Sequence, residues 1–451
     1  MALLPQKFKQ ALEGNQFYIK MKNVTGYTAL LRIFGILLLL GLQYIIVKKC
    51  GEDNFGKYAY YLSVLNILVI FSRLGLDNAS IKYIALYSKN KDYKLLKSYI
   101  KYGMAKIFIC ATIVTTIILL NYFTLNNLNF TNYNVLIFIT MLYVLSLNQF
   151  FEGCLRGKKQ FIKAIFPTSV LLPVVATLSV IIYGKKIDSA IISIPLLSHI
   201  TAIIIVLMYL FYQLKVNLLN TPLSITKIKN NYKTQKKSWL NTSIGLMLIS
   251  GCHIILGNTD IIMIGNLIDM KNAGIYTLAV RFSTFITFGI NIISSISGPY
   301  IAELYRESKK KDLEKLLHTC SYFATVWALL VLLFITIFGD NILQIYFDDY
   351  NKAYKVTIIL CVGQLFASCF GLSVTLLKMC GYEKFLAMIM GAASLLNIPL
   401  NYLLITKHGV IGASIATSII FVLYSIAILA FVRKKFKFWP MSVNLNSLNN
   451  R

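Results

Sequence analysis

Charged residues are scarce in this chain, and that scarcity excludes an ordinary soluble domain. Asp, Glu, Lys and Arg make up 14% of the 451 residues, whereas about 25% is usual for a soluble protein. Hydrophobic residues make up 57% of the chain and come in long blocks. Twelve blocks, from 26–47 to 410–432, have the length of about 20 residues that crosses a bilayer as an α-helix. The sequence therefore predicts an all-α polytopic membrane protein with twelve transmembrane helices.

Acidic residues are especially few, with 17 Asp and Glu against 45 Lys and Arg and a net charge of +28. In a soluble protein this excess would suggest nucleic-acid binding. Here the basic residues lie mainly in loops between apolar blocks, and no aromatic-rich basic groove accompanies them. We therefore expect no nucleic-acid partner and interpret the charge as a topology signal.

The usual sequence motifs of catalysis and metal binding are missing as well. The eight Cys show no CxxC spacing, and the four His are scattered. There is no HExxH or GxSxG motif. A P-loop-like stretch at 51–57 is followed by Tyr58, where a P-loop needs Ser or Thr to bind magnesium. We expect no catalytic residues, no metal site and no enzymatic activity.

The distribution of Lys and Arg predicts the orientation in the membrane. With a cytoplasmic amino terminus, the cytoplasmic segments hold 32 Lys and Arg and the opposite side holds nine, a bias typical of cytoplasmic loops. Both termini should then be cytoplasmic. The predicted parts are an N-terminal segment (1–24), an N-lobe with helices 1–6 (25–212), a linker (213–239), a C-lobe with helices 7–12 (240–432) and a basic tail (433–451).

The two lobes carry an internal sequence repeat, which indicates duplication of a six-helix unit. Four separated matches recur at offsets of 218 to 224 residues. They are Gly56-Lys57-Tyr58 with Gly274-Ile275-Tyr276, Leu86-Tyr87 with Leu304-Tyr305, Lys91-Asp92 with Lys311-Asp312, and Gly157 and Phe161 with Gly381 and Phe385. The matching loops 77–101 and 299–318 are predicted to form short amphipathic helices on the inner surface, with basic solvated linkers as the alternative.

Four ionisable residues at membrane depth are the candidate functional residues. Arg32 and Arg281 lie inside predicted helices 1 and 8, Asp260 lies near the outer end of helix 7, and Arg73 lies nearer the inner face. An Arg at a helix centre costs roughly 2.5–3.5 kcal/mol, so Arg32 and Arg281 either face a cavity or snorkel to the interface. Snorkelling is favoured for Arg73. Asp260 could form an ion pair with Arg281 or couple transport to an ion.

Arginine at these depths favours an anionic substrate. A guanidinium stays charged and binds phosphate oxygens in a bidentate manner. A cation exporter would instead need unpaired carboxylates deep in the bundle, and the predicted spans contain few acidic residues.

Three sets of short motifs, spread over nearly the whole chain, resemble those of a known transporter family. The sets are Gly56-Lys57-Tyr58 with 73–77 and 81–85, 258–265 with 273–276, and 397–401 with 409–417. The chain resembles the polysaccharide-transporter family, whose superfamily also includes lipid-linked oligosaccharide flippases and multidrug and toxin extrusion antiporters.

The resemblance implies two six-helix lobes around a central V-shaped cavity that opens to one side at a time. In the related lipid II flippases, arginines on helices 1 and 8 hold the diphosphate, and Arg32 and Arg281 fall on the matching helices. Some relatives have an acidic residue next to the helix-1 arginine. Ile33 follows Arg32 here, so the resemblance does not identify the coupling mechanism.

The sequence thus predicts a flippase that moves O-antigen or capsule repeat units across the bacterial cytoplasmic (inner) membrane by alternating access. Arg32, Arg281 and Arg73 would bind the diphosphate, and no cofactor is expected beyond a coupling H⁺ or Na⁺. Expected partners are the undecaprenyl-diphosphate-linked oligosaccharide, membrane lipids, and a polysaccharide polymerase with its chain-length proteins. The alternative is an ion-coupled multidrug antiporter on the same scaffold, with Asp260 as its required carboxylate.

Overall fold

The described part of the chain is helical and contains no strand. The structure, a computed structural model, describes residues 16–125, 132–183, 193–219, 232–370, 372–438 and 440. Numbered in chain order, its helices are α1 (Gln16–Cys50), α2 (Glu52–Arg73), α3 (Leu76–Lys89), α4 (Tyr93–Leu125), α5 (Asn132–Gly157), α6 (Phe161–Tyr183), α7 (Ile194–Leu214), α8 (Tyr232–Leu267), α9 (Met270–Arg306), α10 (Lys310–Gln344), α11 (Tyr350–Cys369), α12 (Ser373–Met379) and α13 (Glu383–Phe436). A π-helical segment, Pro167–Leu171, interrupts α6 where a proline removes a backbone donor.

Eleven of the described helices are long and apolar enough to cross a membrane, and α13 supplies two crossings. Its 54 residues contain one non-helical position, Gly409, with φ 61° and ψ −141°. A Cβ added to Gly412 would lie 1.9 Å from the carbonyl oxygen of Leu404. In a straight helix, residues 404 and 412 would be about 12 Å apart. Because they are in contact instead, the chain reverses at Gly409. The predicted twelve-helix membrane architecture is confirmed.

The predicted boundaries can be compared with the described residues only in part. Residues 1–15 of the N-terminal segment, 220–231 of the linker and 441–451 of the tail lie outside the described residues. Helix α8 begins at Tyr232, inside the predicted linker. Trp239 is fully buried and packs in a cluster whose other buried members lie between Leu76 and Leu218, so the first turns of α8 pack with the first half of the chain.

The predicted pair of short helices forms in only one half. In the first half α2 ends at Arg73. Leu74 (φ 50°) and Gly75 (φ 71°) then adopt left-handed backbone angles, and the separate helix α3 follows. In the second half α9 continues to Arg306 and α10 begins at Lys310. The difference has a local cause, because Ile293 stands at the repeat position of Gly75 and disfavours the left-handed backbone that Gly accepts.

The two halves meet along α2, which packs against α8 and α9. We call the end of the bundle with the carboxyl ends of α2, α5 and α9 the basic end, and the opposite end the far end. At the far end, Glu52 forms an ion pair of 2.9 Å with Lys271 and accepts a hydrogen bond from the backbone N–H of Asp348. A Cβ on Gly56 would lie 1.7 Å from the carbonyl oxygen of Met270. The far end of this interface is therefore closed.

Helix α1 contacts the second half at its far-end portion. The hydroxyl of Tyr346 donates to the carbonyl oxygen of Leu40 at 3.3 Å, and its ring packs on Tyr44. In the basic-end portion of α1, Tyr27, Leu30 and Phe34 are more than half exposed. The helix is thus held at the far end and exposed toward the basic end.

Candidate functional site

Arg281 lies at the interface between the halves, in the middle of the span Met270–Ser294. Asp269 caps α9, since its side chain accepts a 2.7 Å hydrogen bond from the N–H of Asn272. The residues from Asn272 to Leu278 are buried, whereas Arg281 is exposed. Its charge acts on the buried hydroxyl of Tyr58 on α2. No ion pair joins Arg281 to a carboxylate of the described residues, so its guanidinium is free to bind an anion.

Arg32 is exposed on α1 and lies within electrostatic range of Glu152 and Arg156 on α5. It forms no ion pair within the described residues. A guanidinium at this depth with neither an ion pair nor burial is stable only where water or a polar ligand can reach it.

Close to Arg32, the basic-end part of the N-lobe contains a polar cavity of about 230 Å³. We call it the N-lobe cavity, and it is lined by Arg73, Asp77, Asn78, Ile81, Gln149, Glu152, Gly153 and Arg156. Arg73 donates from Nη1 to Oδ2 of Asp77 at 2.7 Å, and Arg156 donates to Glu152. Both ion pairs join residues four apart along the chain. With Arg32 included, three guanidinium groups face two carboxylates.

The local sequence builds this cavity through a helix break and a small residue. The left-handed pair Leu74-Gly75 ends α2 at Arg73 and restarts the chain as α3, with Asp77 in its first turn. Gly153 lets α5 approach this corner, because a Cβ there would lie 2.2 Å from the carbonyl oxygen of Asp77. Arg73 is only 6% exposed, so the predicted snorkelling is wrong and Arg73 is instead held in the N-lobe.

Asp260 lies in a separate polar cluster in the C-lobe, 3% exposed. Four uncharged side chains donate to its carboxylate: Tyr276 at 2.7 Å, Asn397 at 2.8 Å, Asn401 at 2.7 Å and Thr417 at 2.5 Å. They come from α9 and from both halves of α13. Such a set stabilises a buried carboxylate. The suggested ion pair between Asp260 and Arg281 is not formed among the described residues.

The structure divides the four predicted residues among three places. Arg32 and Arg73 lie in or beside the N-lobe cavity, Arg281 lies at the interface with α2, and Asp260 lies in its own cluster. Sequence reasoning missed the role of Arg156 and of the residues around Asp260. The i,i+4 spacings of Glu152 with Arg156 and of Asn397 with Asn401 are signals that could have indicated paired side chains.

Comparison with known proteins gives a consistent family and fold. The family model described as "Polysaccharide biosynthesis protein" matches residues 22–305, and the MatE model matches residues 246–403. The chain is 26% identical over 401 residues to "Uncharacterized membrane protein MJ1375" of Methanocaldococcus jannaschii, covering 85% of this chain and 91% of that protein.

Two solved structures show the same fold. One is the inward-facing conformation of a multidrug resistance MATE family transporter of the MOP superfamily, with a TM-score of 0.69, 14% identity, and coverage of 91% of this chain and 98% of that chain. The other is the lipid II flippase MurJ in its inward closed conformation, with a TM-score of 0.67, 15% identity, and coverage of 94% and 91%. At 14% and 15% identity, the similarity shows a shared fold and nothing more.

Proposed function

The chain belongs to the polysaccharide biosynthesis protein family, and from this we propose that it is a flippase for polyprenyl-diphosphate-linked oligosaccharide repeat units of O-antigen, capsule or a similar glycan. The units pass from the inner to the outer leaflet of the cytoplasmic membrane by alternating access. The family and the transporter fold support a non-enzymatic role.

The observation that carries this proposal is the pair of exposed, unpaired guanidiniums on opposite halves. Arg32 is on α1 and Arg281 is on α9. The described carboxylates near them, Asp77 and Glu152, are already paired with arginines. The fixed charge left over is positive, which suits a diphosphate and opposes a cationic drug. Arg32 and Arg281 would hold the diphosphate while the lipid tail stays in the bilayer.

The proposal is tested by complementation of a host in which the gene is deleted. The deletion strain should accumulate complete repeat units on polyprenyl diphosphate, protected from reagents outside the cell. The normal gene should clear this pool, Arg281→Ala and Arg32→Ala should not, and Arg281→Lys should clear it in part because Lys keeps the charge without the bidentate geometry.

The matched control is Lys106→Ala, which removes a basic residue from α4, a helix that exposes Phe108, Ile109 and Ile113 on its surface. This variant should clear the pool. Full clearance by both arginine-to-alanine variants would contradict the diphosphate site, and an absence of lipid-linked intermediates in the deletion strain would contradict the flippase itself.

The polar cluster around Asp260 supports the proposal that transport is coupled to an ion. Besides the carboxylate and the hydroxyls of Tyr276 and Thr417, the cluster contains the Oδ1 atoms of Asn397 and Asn401, which have no hydrogen-bond partner among the described residues. An amide turned about its last torsion offers oxygen in place of NH₂. The donor set is then entirely oxygen, which fits a hard cation such as Na⁺, and the carboxylate alone could carry H⁺.

The coupling proposal predicts that Asp260→Asn abolishes ion dependence. If Na⁺ binds, the melting temperature of the purified protein should be higher in Na⁺ than in K⁺ at equal ionic strength. The Asp260→Asn variant should lose this difference. With H⁺ as the coupling ion, export should follow the pH gradient and the variant should lose that dependence. Asp269→Asn is the matched control because Asn caps a helix as well as Asp. Normal ion-dependent export by Asp260→Asn would contradict the assignment.

The second candidate is an ion-coupled multidrug antiporter, supported by the match of the MatE model. It predicts that loss of the gene increases sensitivity to cationic drugs without accumulation of lipid-linked saccharides. The two phenotypes therefore separate the candidates in one strain.

A further inference from the structure

Three residues that line the N-lobe cavity each carry a buried polar atom that has no partner among the described residues: Nε of Arg73, Oδ1 of Asp77 and Oε1 of Gln149. Arg73 is only 6% exposed. Buried polar atoms are nearly always hydrogen-bonded, and an unpaired one is costly. Three such atoms around one space indicate that the space takes a polar occupant.

A bare phosphate does not match the hydrogen-bonding pattern of these atoms. Arg73 Nε is a donor, but Asp77 Oδ1 and Gln149 Oε1 are acceptors. A fully ionised phosphate offers only acceptors, and it would also face the carboxylates of Asp77 and Glu152. A hydroxyl both donates and accepts, so a molecule with several hydroxyls can satisfy all three atoms.

The size of the cavity agrees with such a molecule. Its volume is about 230 Å³, whereas one water occupies roughly 30 Å³ in the liquid. This is room for one sugar ring with its hydroxyls. Asn78 adds a further amide to the wall, so planar donor and acceptor groups surround the space.

We propose that the N-lobe cavity is a sugar subsite, which binds the hydroxyls of the saccharide nearest the diphosphate of the lipid-linked substrate. The inference rests on the proposed flippase function and refines it. Arg32, exposed and unpaired beside Glu152 and Arg156, is the adjacent cation for the diphosphate. Arg73 is then assigned to the sugar through its ion pair with Asp77, and not to the diphosphate.

The test measures binding of defined lipids to the purified full chain in lipid nanodiscs. The probes are undecaprenyl diphosphate and the same lipid carrying a single glucose, galactose or N-acetylglucosamine. The unaltered protein should bind at least one glycosylated probe about tenfold more tightly than the bare lipid. Gln149→Leu and Asn78→Ala should reduce this preference and leave affinity for the bare lipid unchanged.

The matched control is Gln43→Leu, because Gln43 is also buried on a membrane helix and its Oε1 also lacks a partner, but it does not line the cavity. This variant should keep the preference for the glycosylated lipid, whereas Arg281→Ala should weaken the binding of all four lipids. Equal binding of bare and glycosylated lipids by the unaltered protein would overturn the sugar subsite, leaving a cavity filled by water. Failure to bind any of the four would overturn the proposed function itself.

Discussion

Replacing Gly56 by Ala should open the far end of the interface between the two halves. Gly56 lies where α2 crosses the start of α9, and a Cβ there would lie 1.7 Å from the carbonyl oxygen of Met270 and 2.4 Å from its carbonyl carbon. Both atoms are backbone, so no side-chain rotation relieves the clash. The helices must separate, and the Glu52–Lys271 ion pair of 2.9 Å lies beside the contact.

The size of the effect follows from this geometry. Cβ atoms essentially never approach other heavy atoms within 3.0 Å, so the helices must move apart by at least about 1.3 Å, the difference between 3.0 and 1.7 Å. Overpacking of this kind costs about 1–3 kcal/mol. Under the alternating access proposed above, and if the cost falls on the far-end-closed state alone, the equilibrium shifts by about 5- to 150-fold toward the far-end-open state.

The assay is labelling of a single cysteine by a membrane-impermeant maleimide. The eight native cysteines are first replaced, and Ile275→Cys is introduced, because Ile275 is fully buried and packs in one cluster with Phe55. Labelling in intact cells should rise in Gly56→Ala and stay low in the matched control Gly257→Ala. A Cβ on Gly257 would meet no heavy atom of the described residues within 4 Å.

If Gly56→Ala is folded, as judged by a monodisperse gel-filtration profile, and the cysteine at position 275 remains unlabelled from both sides of the membrane, then the Gly56 contact does not close the far end. Labelling only in inverted vesicles would instead reverse the predicted orientation.

Two further predictions concern stability and are measured by thermal melting in detergent. Trp239→Ala should destabilise the protein by about 3–5 kcal/mol, because Trp239 is fully buried and donates a 2.7 Å hydrogen bond to Tyr87. The control Trp327→Ala changes a residue that is 39% exposed and should destabilise the protein clearly less. Equal losses of stability would contradict the packing of α8 with the N-lobe. Gly409→Ala should cost about 1–3 kcal/mol, since φ 61° with ψ −141° strains any residue with a Cβ, and an unchanged melting temperature would contradict the reversal in α13.

Features that depend on local chemistry could be predicted from the sequence. A membrane span must be apolar and must satisfy its own backbone hydrogen bonds, so twelve spans can be predicted from composition and length alone. The duplicated motifs indicated two related halves. A separate short helix was predicted in both halves, but it forms only in the first half, where Gly75 stands at the repeat position of Ile293. The functional importance of Arg32 and Arg281 was predicted because a charge at membrane depth is rare and costly.

Which polar residues meet depends on how the helices pack. Asp260 receives hydrogen bonds from residues 16 to 157 positions away, and no periodic pattern connects such positions. Arg73 was predicted to snorkel because its depth along the chain is visible in the sequence, whereas its burial beside Asp77 depends on how α2, α3 and α5 pack. Helical periodicity fixes neighbours three or four residues apart. The grouping of distant side chains into the N-lobe cavity and the Asp260 cluster is set by helix packing, which the local sequence does not encode.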